Sequence, residues 1–412
     1  MLLIAMTVGC ADSPCADVDG SKLYVFPPTQ EQRSVPSNAR VFETIQDALD
    51  HAEPGTAVCV AEGHYRESPT VYTPDVMLYG AGPERTEIIP ETLQIRAPGT
   101  TVLSVGAAGV HVRGFSLRHG ATGIYVEPGT SALVEDVALE DNGVGLLAPE
   151  PSGLGLVGLD VARNTSIGLL VTANHDFPTV TVHGGRFVGN GTLGESEVGG
   201  IYSDTALELR GVTLRDNVGE LTADVFTQRG LTLTDVVLER AARLGGAPRI
   251  SSQDGLVARD LSVHTYGSVG LDIGCREGGV EIDNLALSDA GGGATGLVLE
   301  DCVGRIAHAT LVDTTQTARP ALSGTGTLEI VNTAFVGFGA PDLDGSLQTA
   351  AVFTGTASDA ALMRPLPVDP DLRPQSDSPL IDAGVMVGVG SDLDGRPRPS
   401  GDAPDIGAYE LY

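Results

Sequence analysis

One pattern recurs ten times between residues 110 and 335: apolar-x-apolar-x-x-apolar-x-apolar. Its copies are Val110-Val112-Phe115-Leu117, Ala132-Val134-Val137-Leu139, Leu154-Leu156-Leu159-Val161, Val180-Val182-Gly185-Phe187 and Leu207-Leu209-Val212-Leu214. They continue as Leu231-Leu233-Val236-Leu238, Leu256-Ala258-Leu261-Val263, Val280-Ile282-Leu285-Leu287, Gly304-Ile306-Ala309-Leu311 and Leu328-Ile330-Thr333-Phe335. The last positions of successive copies lie 22, 22, 26, 27, 24, 25, 24, 24 and 24 residues apart. A near-constant period of this length is the signature of a solenoid, in which each repeat buries its apolar side only against its neighbours.

Within a copy, two stretches of period-two alternation are joined by one extra residue. That residue turns the chain while keeping both apolar pairs on one side. A Gly-apolar element follows in most copies, as in Gly123-Ile124-Tyr125-Val126, Gly168-Leu169-Leu170-Val171, Gly200-Ile201-Tyr202 and Gly270-Leu271-Asp272-Ile273. Each coil is therefore about three short strands, stacked at about 4.8 Å on the coil below. The predicted fold is an all-β, right-handed, single-stranded parallel β-helix. Leucine-rich repeats share the length but carry a helical segment and a regular Leu-x-x-Leu-x-Leu strand, and neither is present. Composition agrees with a narrow interior: 42% of residues are apolar, yet only 4% are aromatic and Trp is absent. Asn142, Asn164, Asn190 and Asn217 each follow the last core position of their coil by three residues, a placement that suits a stacked amide ladder.

An exposed end of such a stack would recruit other chains, so both ends need caps. Residues 41–52 place Phe42, Ile45, Ala48 and Leu49 on one helical face, and Pro54-Gly55 stops the helix. Strands are expected near Val58–Val60, Val76–Leu78 and Leu93–Ile95. After residue 340 the period fades into Pro, Asp and Gly. The expected organisation is a signal remnant over 1–10, an N-terminal segment and capping helix over 11–55, a β-helix over 56–340 and an irregular C-terminal cap with a few strands over 341–412.

Both ends carry a resemblance. Phe42-Glu-Thr-Ile-Gln-Asp-Ala-Leu49, Gly55 and Val60-Ala-Glu-Gly-His-Tyr-Arg-Glu67 resemble the opening of pectate-lyase-like β-helix repeat proteins. Ser378-Pro-Leu-Ile-Asp-Ala-Gly384, Asp392-Leu-Asp-Gly-Arg-Pro-Arg398 and Pro404-Asp-Ile-Gly-Ala-Tyr-Glu410 are similar to the end of many secreted bacterial proteins of that type. The resemblance implies the β-helix. It assigns no single activity, because such proteins include lyases, hydrolases, esterases and adhesins.

Charge narrows the partners. Asp+Glu number 54 and Lys+Arg 24, a formal net charge of -30, which repels nucleic acid and disfavours anionic polysaccharides unless cations bridge them. The single lysine, Lys22, precedes the first coil, so a lyase base in the solenoid would have to be Arg. Outward Asp136, Asp160, Arg186, Asp235, Asp260 and Asn284, with Glu135, Arg259 and Asp283 nearby, form an even spread and not a catalytic cluster. His111, His183 and His308 occupy outward steps and read as surface side chains. Residues 239–255 are locally basic, and Arg240, Arg243, Arg249, Gln253 and Asp254 are the favoured ligand contacts. Asp392, Asp394 and Asp402 offer oxygen ligands for Ca²⁺, but without the order of an EF-hand loop, so no cofactor is required. The expected role is a non-catalytic surface binding or structural module, contacting a glycan or a cell-envelope component. The alternative is a carbohydrate-active enzyme, a polysaccharide lyase or glycoside hydrolase, marked by a groove across adjacent coils with two carboxylates about 5–10 Å apart or a cation site facing an Arg. The pattern specifies no oligomeric state.

The first residues, Met1-Leu-Leu-Ile-Ala-Met-Thr-Val-Gly-Cys10, resemble a bacterial lipoprotein signal, with Cys10 as the lipid attachment and a secreted or membrane-anchored location. Four cysteines remain. Cys275 and Cys302 follow the glycines of consecutive coils by five and six residues, which sets them side by side, and elimination pairs Cys15 with Cys59.

Overall fold

The structure is a computed structural model of the 412-residue chain. It describes residues 14–27, 35, 38–92, 100–174, 177–192, 197–220, 224–241, 247–265, 269–275, 278–289, 295–364 and 370–412. Cys10, Arg243 and Leu93–Ile95 lie outside them. Two compact units divide at Ala173 and Asn174, and each is a right-handed parallel β-solenoid.

In the first unit, the strands Val110–Arg118, Ser131–Glu140 and Gly153–Ala162 stack in parallel, with Val112, Val134 and Leu156 in one row and Leu117, Leu139 and Val161 in another. These side chains are fully buried. The extra residue of each copy takes a left-handed backbone: Gly114 (φ 76°), Asp136 (φ 49°) and Gly158 (φ 62°). Glycine and Asp tolerate that region, and one residue there bends the strand without breaking the ladder. The short strands Thr122–Val126, Val144–Pro149 and Ile167–Thr172 form a second stack.

The N-terminal helix covers Ile45–Asp50, shorter than the 41–52 read from its periodicity. Arg40–Phe42 instead pairs as a parallel strand with Leu23–Val25. Thr44 sets the start, its hydroxyl accepting the Asp47 N–H, while the Glu67 carboxylate accepts the N–H groups of Ile45 and Gln46. Ile45, Ala48 and Leu49 are buried beneath it. The Cys15–Cys59 disulfide (Cα–Cα 5.7 Å) ties the leading segment to the strand Ala57–Val60.

The second unit repeats the scheme through Leu231–Arg240, Leu256–Thr265, Gly279–Asp289, Thr295–Asp313 and Leu322–Val336. Its left-handed column runs Asp235, Asp260, Asn284, His308 and Asn332. Parallel stacking continues through Asp342–Gly355, where the apolar period has already faded. The cap beyond is an antiparallel pair, Leu362–Arg364 with Asp371–Pro374, and a largely irregular tail. Leu362, Leu372, Leu380, Ile406 and Ala408 pack on Val312, Ala334 and Val336. Arg398 and Glu410 form a fully buried ion pair in this tail, and Arg398 also donates to Asn284 Oδ1 (3.3 Å) and Gly407 O (2.9 Å). Cys275–Cys302 (Cα–Cα 4.9 Å) bridges consecutive coils.

The four turn asparagines are fully buried. Asn142 Oδ1 accepts the Gly120 N–H (2.9 Å) and its Nδ2 donates to Leu117 O (3.0 Å). Asn164 repeats this with the Asn142 N–H (3.0 Å) and Leu139 O (2.9 Å). In the second unit Asn217 Oδ1 accepts from both the backbone and side chain of Asn190 (3.1 and 3.0 Å).

Candidate functional site

The short strands of the second unit present one outward column in register: Tyr202, Phe226, Ser251, Gly274 and Glu300. Alternation sends Ile201, Val225, Ile250 and Ile273 inward, which leaves this column facing out. The Tyr202 and Phe226 rings stack, with centroids 5.3 Å apart and planes 16° from parallel, and both are half-buried. Tyr202 Oη donates to Asp204 Oδ1 (2.8 Å) and accepts from Gln228 Nε2 (3.1 Å), so the ring is held in place. Burial raises the Tyr202 phenol above its ordinary value.

Two small residues follow. Gly274 has no left-handed backbone to accommodate, yet a Cβ there would lie 2.9 Å from Ser251 Oγ. A glycine in an ordinary strand weakens it, and such positions mark close approach of another group. Here the approaching side chains are Ser251 and Glu300 (Oε2 3.9 Å from that Cβ), and Arg249 reaches Glu300 from two coils before (Nη2–Oε2 2.7 Å) while lying beside Asp272 (Nε–Oδ2 3.6 Å). Arg249 and Asp272 are register partners. Asp272 Oδ1 and Arg249 Nε are buried atoms without a hydrogen-bond partner. Burial pushes the Asp272 carboxyl up, Arg249 opposes the shift and Glu300 reinforces it. An aromatic platform, a low shelf and a polar wall with unused hydrogen-bonding capacity thus lie along one face. Such a face can stack a ring and hydrogen-bond polar groups beside it.

The residues favoured from the 239–255 segment separate. Arg249 stands in the wall just described. Arg240 does not face solvent: its side chain is 3% exposed, bonded to Asn217 O and Ala247 O, and ion-paired with the equally buried Asp224 (3.5 Å). Its excess charge is consumed inside, because Asp224, raised by its own burial, needs a cation there. Gln253 donates its backbone N–H to Thr227 O. Asp254 is exposed and pairs with Arg229 (3.5 Å). It also lines a groove of about 620 Å³ across the starts of the neighbouring strands, with Glu208, Thr232, Val257, Glu281 and Val303.

Several other charged side chains are occupied. In the first unit Asp141 accepts from Arg118 (2.6 Å) and Arg163 (2.9 Å); burial would raise its carboxyl, but these bonds outweigh it and hold it low. Tyr79 Oη, His111 and Glu135 form a chain (2.7 Å to Nδ1, 3.0 Å from Nε2), with Arg113 over the Tyr79 ring and paired to Asp17. Burial lowers the His111 imidazole, and Glu135 opposes it. Tyr79 belongs to the apolar cluster around Cys15 and Cys59, so this chain clamps the N-terminal segment. In the second unit Asp260 and Asp283 are raised by burial, beside Asn284 and Arg305, whose Nη1 donates to Val387 O of the tail (3.4 Å). Asp392 uses both carboxylate oxygens on backbone N–H groups of Asp394, Arg396 and Glu410. Among the described residues no three His, Cys, Asp or Glu side chains converge in a metal-holding group.

The aromatic pair was absent from the residues singled out in the sequence. Its signal was the Gly200-Ile201-Tyr202 element and Phe226, 24 positions on, at the same step of the next coil.

The chain matches no protein-family model and no curated protein. Among solved structures it is similar to the pectate lyase Pel9A at 14% identity and a TM-score of 0.42, over 98% of this chain and 100% of that one. It is also similar to a pectin methylesterase in complex with a hexasaccharide (13% identity, TM-score 0.34, 60% of this chain and 81% of that one). Pectin methylesterase from carrot is matched at 11% identity and a TM-score of 0.29, over 80% and 83% of the two chains.

Proposed function

We propose that this protein is an extracytoplasmic carbohydrate-active β-helix protein that seats a glycan on the Tyr202–Phe226 face and works on it with Asp272 and Glu300. The observation that carries the reading is the wall itself: two carboxylates on neighbouring coils flank one arginine, beside an aromatic platform. The C–H face of a pyranose stacks on such rings, and its hydroxyls suit unpartnered polar atoms like Asp272 Oδ1. Asp272, held above the ordinary carboxylate range by burial, keeps a proton closer to neutral pH and suits a general acid. Glu300, more exposed and bonded to Arg249 Nη2 (2.7 Å), suits the base or nucleophile. The two disulfides and the acidic surface support a place outside the cytoplasm, with Cys10 as the proposed lipid anchor.

A non-catalytic binding module is the second reading. It is favoured by the pairing of Arg249 with both carboxylates, which resembles the stacked pairs of Arg118, Asp141 and Arg163. Binding and turnover on a panel of polysaccharides, measured with the wild type, Asp272→Asn and Glu300→Gln, separate the two. Turnover lost in both variants with binding retained supports the enzyme. Binding without turnover leaves the module, and neither activity sinks both readings.

A further inference from the structure

Resting on that reading, we infer that the glycan is free of carboxylates: the face that would hold it is built to reject a polyuronate. Among the described residues its charged groups are the carboxylates of Glu197, Asp204, Asp254, Asp272 and Glu300 and the guanidinium groups of Arg229 and Arg249. Both arginines are already engaged, Arg229 with Asp254 at 3.5 Å and Arg249 with Glu300 at 2.7 Å and Asp272 at 3.6 Å. A uronate laid on the Ser251–Gly274 shelf would bring its own carboxylate beside that of Glu300. It would then have to break the Arg249–Glu300 pair to find a cation. Like charges so placed cost binding energy and set specificity by repulsion.

The way in from the adjoining groove has the same sign. Every described charged residue lining it (Glu208, Asp254 and Glu281) is acidic. The stacked turns carrying Arg229 and Asp254 join the short strands of the aromatic face to the strand starts that line this groove, so a chain extending past the shelf meets further carboxylates. A neutral sugar meets no such penalty. Its hydroxyls donate to Asp272 and Glu300, and its ring needs only Tyr202 and Phe226.

The test is calorimetric titration of the full-length protein at low salt with a panel of neutral oligosaccharides of differing linkage and with polygalacturonate oligosaccharides of matched length. A neutral oligosaccharide should bind at least about tenfold more tightly than any polygalacturonate. Binding should be lost in Tyr202→Ala and Phe226→Ala, which truncate half-buried side chains and spare the core. Asp272→Asn with Glu300→Gln should narrow the difference. Polygalacturonate bound as tightly as the best neutral sugar, with that binding lost in Tyr202→Ala, overturns this inference and leaves the site reading standing. No sugar bound by the wild type, or binding indifferent to both aromatic truncations, overturns the site reading and this inference with it.

Discussion

Tyr202 and Phe226 are direct register partners on adjacent coils, and their rings lie 5.3 Å apart and 16° from parallel. A parallel sheet places equivalent residues at about the spacing that stacked rings prefer, so the platform costs no special backbone. Removing either ring should therefore affect ligand far more than fold. Tyr202→Ala and Phe226→Ala are each expected to weaken saccharide binding by about tenfold or more, with about 1–2 kcal/mol lost from stability. Binding isotherms and urea unfolding on the same samples check this. A loss of stability large enough to unfold the protein, with no separate binding defect, would contradict it.

Asn142 satisfies the Gly120 N–H and the Leu117 carbonyl from a fully buried position. Asn142→Ala leaves both groups unpaired and should cost about 2–4 kcal/mol, more than the volume change alone suggests. Asn142→Asp keeps the acceptor but loses the donor and buries a charge, so it should not rescue. Equilibrium unfolding of the two variants against wild type gives the comparison, and near-wild-type stability of Asn142→Ala would show that the ladder is dispensable.

The Cys275–Cys302 bridge closes a separation of 27 residues between consecutive coils. Cys275→Ser with Cys302→Ser is expected to cost on the order of 3 kcal/mol, mainly by freeing the unfolded chain. Non-reducing peptide mapping of the purified protein should recover this bridge and Cys15–Cys59 as linked fragments. Free thiols at these positions would remove both the stabilisation and one support for an extracytoplasmic location.

The coil was legible because a one-dimensional core forces its apolar residues into a fixed order, and Val112, Leu117 and their successors had to recur wherever the chain came round. The single left-handed residue at Asp136, Asp235 or Asn284 was legible for the same reason, as the one step that breaks the alternation. The site was not. Outward positions carry no period, so Tyr202, Phe226 and Gly274 stood among dozens of polar and small neighbours. The basic segment misled because charge is counted locally while pairing is not. Arg240 meets Asp224 across a coil, Arg243 lies outside the described residues, and Arg249 stands at the proposed site. The helix at 41–52 was overread because Phe42 fits its apolar face but is claimed by strand pairing with Val25.

His308 sits under the C-terminal tail, 1% exposed and in the left-handed region (φ 54°), with its Nε2 accepting from Asn332 Nδ2 (3.0 Å). Burial first, and then Arg398 and Arg305 nearby, push its imidazole down from 6.5 to about 3, against backbone groups of Asp405 and Gly407 that pull the other way. The physical cause is plain: a protonated Nε2 would face the Asn332 amide as one donor against another. The folded state thus holds His308 neutral, while the unfolded chain takes up a proton near pH 6.5. Stability from this group is full above about 6.5 and falls as pH drops toward about 3, because the unfolded state binds the proton first. Other carboxylates titrate in part of that window, so the measurement is a difference. His308→Asn keeps a residue that tolerates the backbone and removes the titration. Unfolding free energies of wild type and His308→Asn between pH 7 and pH 4 should diverge as pH falls, wild type losing stability faster. Parallel curves across that range would show that folding leaves the His308 titration where the unfolded chain has it, or that the tail opens to admit water before the imidazole is tested.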